Sequence, residues 1–271
     1  MADSCAVAVV GAGQAGLAVS HELTHAGVRH VVLEQGRVGE TWRGRWDSFC
    51  LVTPNWSVQL PGYPYDGVEP DGFMPRDEIV AMLKRYAASF DAPVREGLAV
   101  TALRRDVSGR FLLETSAGSL EVETVVLATG AYQRSHRPSG AATLPADLLQ
   151  IDVKDYRNPD LLPSGAVLVV GSGQSGCQIA EELCEAGRDV VLACGRASWG
   201  PRRLGGRDLF WWLVESGALD DTVADLPGGP ADRLLALVLA TGTIRAGSSS
   251  DGGLVGRTTR QVDGSVRQAG R

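Results

Sequence analysis

The sequence predicts an α/β protein with two parallel-sheet units, a small antiparallel excursion and an incomplete C-terminal part. Three observations predict it. The apolar run Ala6–Val10 leads into Gly11-Ala12-Gly13-Gln14-Ala15-Gly16 and then into a helical pattern. The same order recurs as Ala166–Val170 followed by Gly171-Ser172-Gly173-Gln174-Ser175-Gly176. Between them, short apolar runs separated by turn residues read as antiparallel strands. A buried strand, a glycine turn and a helix start make a Rossmann-like unit, so each fingerprint implies a bound dinucleotide. One match would be weak evidence. Two in the right context narrow the field to flavoproteins that take hydride from a nicotinamide.

In the first unit each glycine has its own task. Gly11 permits the tight turn, Gly13 lets the backbone approach a pyrophosphate, and Gly16 lets helix and strand pack closely. Gln14 sits within the fingerprint as a cofactor-binding residue, and unpaired N–H groups at the positive end of the helix favour a pyrophosphate. The helix, Leu17–Ala26, closes at Gly27, a C-cap residue. A second strand, Val31-Val32-Leu33, ends at Glu34. An acid about 20 residues past the turn accepts hydrogen bonds from a ribose, which suits the adenosine of FAD or NAD. The plain alternative is a close-packed strand–helix turn that binds nothing.

From Gly39 to Pro75 the chain is rich in aromatics, Pro and Gly and reads as a long, functional loop. A helix follows over Asp77–Phe90, with Ile79, Val80, Met82, Leu83 and Tyr86 on one face. Strands near Leu98–Leu103, Phe111–Thr115 and Leu120–Val122 form the antiparallel excursion. Val125–Leu127 is a further buried strand, ending in Ala128-Thr129-Gly130. Tyr132–Ser164 links the units, and Pro159 and Pro163 make Ile151–Pro163 a loop.

The second unit differs where the ribose binds. Its helix, Gln174–Ala186, closes at Gly187, and its second strand is Val190–Ala193. The residue at the ribose position is Arg196, a cation. A guanidinium there pairs with a 2′-phosphate, which favours NADPH over NADH; a solvated surface charge is the alternative. Arg202 and Arg203 could add to the positive field. Gly200–Pro230 reads as an insert with a helix around Arg207–Glu215, and Asp232–Leu239 reads as a helix. From Gly242 to Arg271 the segment holds no aromatic residue and much Gly and Ser, as disordered tails do. The expected domains are therefore residues 1–140 for FAD, 141–240 for NADPH, and a tail at 241–271.

Composition narrows the partners. The chain has 271 residues, 44% hydrophobic and 21% charged, and a net charge of -6. That length holds two domains, and the acidic balance argues against nucleic acid. No apolar run is long enough to span a membrane. The first strand begins almost at once and leaves no room for a signal peptide, so a cytoplasmic protein is expected. Five cysteines include no C-x-x-C pair and no metal-ligand spacing, which removes both a metal and a thioredoxin-reductase-like redox pair from the reading.

Taken together, residues 5–230 resemble the class B flavoprotein monooxygenases, the flavin-containing monooxygenase type. The resemblance rests on the paired fingerprints, Gly39-Glu40-Thr41-Trp42, Trp46-Asp47-Ser48, Leu60-Pro61-Gly62-Tyr63-Pro64-Tyr65 and Ala128-Thr129-Gly130. It implies FAD on the first unit and NADPH on the second. It also implies hydride transfer to flavin N5, addition of O2 at C4a, and delivery of one oxygen atom by the hydroperoxide to a small-molecule substrate. Trp42 would lie by the flavin, Asp47 would help hold the cofactor, and Thr129 and Gly130 would border it. Asn55 would hydrogen-bond near the C4a adduct as the catalytic residue.

Two departures stand out. At the positions of the family motif F-x-G-x-x-x-H-x-x-x-Y the chain has Ala146, Leu148 and Asp152 before Tyr156. Family members also run on past this length, so a truncated member is expected. An NADPH oxidase releasing peroxide and a non-catalytic nucleotide-binding remnant are the competing functions, and a homodimer is left open.

Overall fold

The structure, a computed structural model, describes residues 6–195, 199–220, 222 and 238–239. Val7–Val10 (β1) is buried along its whole length, as a central parallel strand is. It turns through Gly11–Gly13 into Gln14–His25 (α1), which ends at Ala26 with Gly27 left-handed at φ 68°. His30–Leu33 (β2) returns parallel to β1 with Val9 opposite Val32. The helix begins three residues before the apolar pattern does, because the fingerprint itself supplies its first turn.

The aromatic loop carries more regular structure than its composition suggests. Glu40–Arg43 is a short helix (α2), Asn55–Ser57 is one 3-10 turn, and Gln59–Leu60 (β3) pairs with Tyr63–Pro64 (β4). Pro61-Gly62 closes that hairpin with Gly62 at φ 66°, as a type II turn requires. Arg76–Ser89 (α3) follows, burying Ile79, Val80, Leu83 and Tyr86.

Val94–Arg95 (β5) then extends the parallel sheet beside β2. Val100–Arg105 (β6), Phe111–Thr115 (β7) and Gly118–Val122 (β8) form the antiparallel meander. Thr124–Leu127 (β9) returns to β1, giving the order β5-β2-β1-β9. Ala8, Val10, Val31 and Leu33 share one face of this sheet and pack with Leu113 and Val122 of the meander. The opposite face, with Val9 and Val32, is also buried, and α1 packs against β1 and β2.

In the second unit Val167–Val170 (β10) pairs in parallel with Val190–Ala193 (β11), joined through Gln174–Glu185 (α4). Arg188, just before β11, donates to the carbonyls of Pro159, Leu162, Pro163 and Gly165. One cation thereby gathers the proline-rich connection that the sequence marks as loop. Leu168 and Val170, on one face of β10, remain 54% and 61% exposed.

Trp199–Gly200 (β12) pairs with Val238–Leu239 (β15), so the end of the expected 232–239 helix is strand. A short apolar run such as Leu237-Val238-Leu239 carries no period that separates the two states. Arg203–Leu204 (β13) and Arg207–Asp208 (β14) form a hairpin, and Leu209–Glu215 (α5) starts after it. Gly205-Gly206, both left-handed, make the turn, and the Asp208 carboxylate caps the helix by accepting from Phe210 N–H at 2.8 Å. The helix therefore starts two residues later than the apolar pattern indicates.

The described residues fall into two compact units that divide at Tyr156, except that Val52–Pro54 groups with the second. Among the described residues, no helix is long and apolar enough to cross a membrane. The expected tail, residues 241–271, lies outside them.

Tyr86 ties α3 to the β3–β4 hairpin, its hydroxyl donating to the Pro61 carbonyl at 3.0 Å. Burial, aided by the charge of Glu22, pushes the phenol up to about 12 from its usual 10.0. The neutral phenol is the folded form, so the unfolded chain ionises first and stability declines from about pH 10 to about pH 12. Urea unfolding across that range is expected to show this decline in the wild type, and Tyr86→Phe is expected to remove this residue's share of it.

Candidate functional site

The first glycine turn is fixed by backbone approach. Gly11 has φ 108°, and its N–H donates to the Leu33 carbonyl at 2.8 Å. A Cβ on Gly16 would stand 1.9 Å from the Gly11 carbonyl oxygen, so only glycine lets α1 come this close to β1. Gly13, by contrast, faces open space: a Cβ there would have nothing within 4 Å. Gly13 is also the N-cap, no side chain caps the helix, and its first turn holds no acid. The positive end of α1 is thus left for an external anion.

Glu34 is buried at the end of β2, with its two oxygens on two backbone donors. Oε2 accepts from Ala12 N–H at 2.8 Å and Oε1 from Gly36 N–H at 2.9 Å. A carboxylate has about four acceptor positions, so two stay available for ribose hydroxyls. The loop after β2 docks on the turn through Gly39 N–H to the Ala12 carbonyl at 3.1 Å. Trp42 Nε1 then donates to Gln14 Oε1 at 3.0 Å. On the other side β9 delivers Ala128, whose N–H bonds the Val10 carbonyl at 2.8 Å. A Cβ on Gly11 would lie 2.4 Å from the Ala128 oxygen and 3.5 Å from Thr129 Cα. Gly11, Gly13, Gln14, Gly16, Glu34, Trp42, Thr129 and Gly130 are thereby brought to the carboxyl end of one sheet. That is where open α/β sheets bind ligands.

Asp47 and Asn55 are engaged elsewhere. Asp47 is exposed and pairs with Arg76 at 2.8 Å. Asn55 is buried, and its amide staples a neighbouring loop. Oδ1 accepts from Met74 N–H at 2.7 Å, and Nδ2 donates to the Glu69 carbonyl at 2.9 Å and faces the Tyr65 hydroxyl at 3.4 Å. The sequence marks Asn55 as a polar residue after a proline but carries no sign of this partner set.

The second turn repeats the first. Gly171 has φ 106° and donates to the Ala193 carbonyl at 3.0 Å. A Cβ on Gly176 would stand 1.9 Å from the Gly171 oxygen, while Gly171 and Gly173 have nothing within 4 Å. Gly173 caps α4, Gln174 begins it, and its first turn again lacks an acid. Cys177 lies against the Ser172 carbonyl at 3.5 Å, its thiol pushed up mainly by burial. Arg196 lies outside the described residues. Arg202 is committed to Asp208 at 2.7 Å and to the Val52 carbonyl at 2.7 Å, whereas Arg203 is exposed. Cys50, Cys177, Cys184 and Cys194 are free thiols, and no cluster among the described residues could hold a metal.

Two strand–glycine turn–helix cradles, each with an uncapped positive helix end, define a two-dinucleotide oxidoreductase fold. The chain belongs to the pyridine nucleotide-disulphide oxidoreductase family, whose model matches residues 8–205. It is 38% identical over 216 residues to an uncharacterized CzcO-like oxidoreductase of Geobacillus kaustophilus, covering 79% of this chain and 61% of that protein. It is 29% identical over 217 residues to the probable indole-3-pyruvate monooxygenase YUCCA3 of Arabidopsis thaliana, covering 74% of this chain and 49% of that one. Among solved structures, a flavin monooxygenase from Stenotrophomonas maltophilia superposes with a TM-score of 0.68 at 25% identity, over 79% of this chain and 64% of that one. The chain thus spans less than two thirds of the length of these relatives, and its resemblance to flavin-containing monooxygenases extends to sequence and fold.

Glu34→Ala is expected to destabilise the first unit by about 2 kcal/mol through loss of two charge-assisted hydrogen bonds. Glu34→Gln, which keeps one acceptor oxygen, is expected to cost about half that. Chemical denaturation without added nucleotide measures both.

Proposed function

We propose that the chain binds FAD on its first turn and NADPH on its second, and acts as an NADPH- and O2-dependent monooxygenase on a small molecule. One observation carries this reading. Both turns present the same open second glycine and acid-free helix end, yet the sequence after their second strands differs: Glu34 stands one residue past β2, and Arg196 three residues past β11. The residues fit the groups. Gly13 and Gly173 leave room for a diphosphate, and Glu34 keeps acceptor capacity for ribose hydroxyls. The similarity to a flavin monooxygenase supports the same assignment.

A bound flavin supplies the redox chemistry, accepting hydride from the nicotinamide and activating O2. The chain's residues bind and orient. The N–H groups at the starts of α1 and α4 hold the diphosphates, Glu34 selects free ribose hydroxyls, and Arg196 selects a 2′-phosphate. Trp42, fixed by Gln14, forms a wall beside the first turn, with Thr129 and Gly130 bordering it from the opposite side.

An oxidase that releases peroxide is the second reading. It is favoured by Asn55, whose amide is already engaged by the loop at 65–74. The ratio of oxygenated product to peroxide formed per NADPH separates the two.

Purified protein titrated with FAD is expected to show saturable quenching of the flavin, and anaerobic NADPH is expected to bleach its visible bands. No binding of either ligand by folded protein would overturn the proposal. In Arg196→Ala, NADPH affinity is expected to fall about tenfold or more with NADH affinity little changed, the loss of a charge-assisted phosphate contact. Equilibrium titration with the two nucleotides measures it.

A further inference from the structure

Arg45 is a cation that no described carboxylate neutralises. Its side chain is half-buried, and its Nε is closed off from solvent without a hydrogen-bond partner. Its contacts are aromatic: the guanidinium carbon lies 5.7 Å from the Phe49 ring centre and 5.4 Å from that of Tyr132. Burial pushes the guanidinium below its usual range, against a smaller opposing influence of Tyr132. Nearby Arg76 behaves as arginines usually do and holds Asp47 and Asp77. Cation–π contacts recover only part of what desolvation of a charge costs, so a desolvated guanidinium calls for an anion.

Its place in the fold says which anion. Arg45 follows α2, and Tyr132 lies two residues past Gly130 after β9. The cation therefore bridges the two segments that flank the first glycine turn, at the carboxyl end of the sheet. The diphosphate of a dinucleotide already has a seat on the uncapped start of α1. From that seat to Arg45 the contacts run through two aromatic residues: the Trp42 indole bonds Gln14, its ring lies 5.7 Å from that of Phe49, and Phe49 in turn meets the guanidinium. The guanidinium is left for a second anionic group. A planar carboxylate matches its terminal nitrogens, and the 79% exposed ring of Tyr132 offers apolar surface to the rest of such a ligand.

We propose that Arg45 receives the carboxylate of a small anionic substrate, held against Tyr132. This names the substrate class for the monooxygenase reading and rests on it. The assignment to a substrate rather than to the cofactor follows from this path: the Arg45 guanidinium is linked to Gln14 through Phe49 and Trp42.

The test titrates the whole chain with sodium benzoate, with benzamide as the uncharged isostere and inorganic pyrophosphate as the phosphate probe. Emission of Trp42 and Trp46, both in ring contact with Phe49, reports binding. Benzoate is expected to bind about tenfold or more tightly than benzamide, and Arg45→Gln is expected to erase that advantage while FAD affinity changes less than about threefold. Tyr132→Leu, at an exposed position that folding tolerates, is expected to weaken benzoate about threefold. Equal binding of benzoate and benzamide overturns the proposal, as does an advantage that survives in Arg45→Gln. If pyrophosphate is the tighter probe and Arg45→Gln weakens FAD about tenfold, the guanidinium serves the dinucleotide and the proposal is overturned. A wild-type chain that binds no FAD yet keeps its benzoate preference removes the flavin reading and leaves the carboxylate receptor standing.

Discussion

Two backbone segments lie closer in this fold than any side chain would permit. At Gly16 against Gly11, and again at Gly176 against Gly171, a Cβ would stand 1.9 Å from a carbonyl oxygen. That proximity aims each helix start at the carboxyl end of its own strand. The positive helix end, the open second glycine and the reach of Glu34 to Ala12 all follow from it. A helix displaced outward by one methyl group would pull the turn at Ala12 away from Glu34 and from the loop that docks through Gly39.

Electrostatics then sorts the surroundings of the first turn. The helix end is positive and has no acid in its first turn. The one carboxylate that reaches the turn, Glu34, does so from the adjacent strand and is bound to two backbone N–H groups. Arg76 is balanced by Asp47, while Arg45 is held among rings with no described carboxylate beside it. The helix end and Arg45 thus leave positive charge near the first turn against a single buried acid, a field suited to anionic ligands. In the second unit Arg202 is spent on Asp208, which leaves any selection of a phosphorylated ribose to other groups.

Much of this is legible in the residues, for identifiable reasons. The strand–turn–helix units are local: their glycines, their apolar runs and the strand that follows lie within a short stretch of chain. Val190–Ala193 falls where the apolar run puts it, and Gly27 and Gly187 close their helices as C-cap glycines do. What escapes is what depends on distant partners. Val94–Arg95 is too short to show a period and becomes a strand only because β2 offers it an edge. The Gly205-Gly206 turn is hidden beside a helical-looking apolar pattern. Nothing next to Asn55 in sequence announces that Glu69 and Met74 will occupy its amide, and nothing beside Arg45 announces Tyr132.

The contrast between neighbouring glycines has a consequence for how such a chain can vary. Residues 16 and 176 are held by the fold itself, whether or not a nucleotide is present. Among the described residues nothing lies within 4 Å of a Cβ at 13 or 173, so the described fold leaves room for a side chain there that a bound ligand would forbid. A randomised library sorted for folded protein alone would keep glycine at the first pair and lose it at the second. The sites where the two selections part company would outline the ligand's footprint without its chemistry ever being assayed.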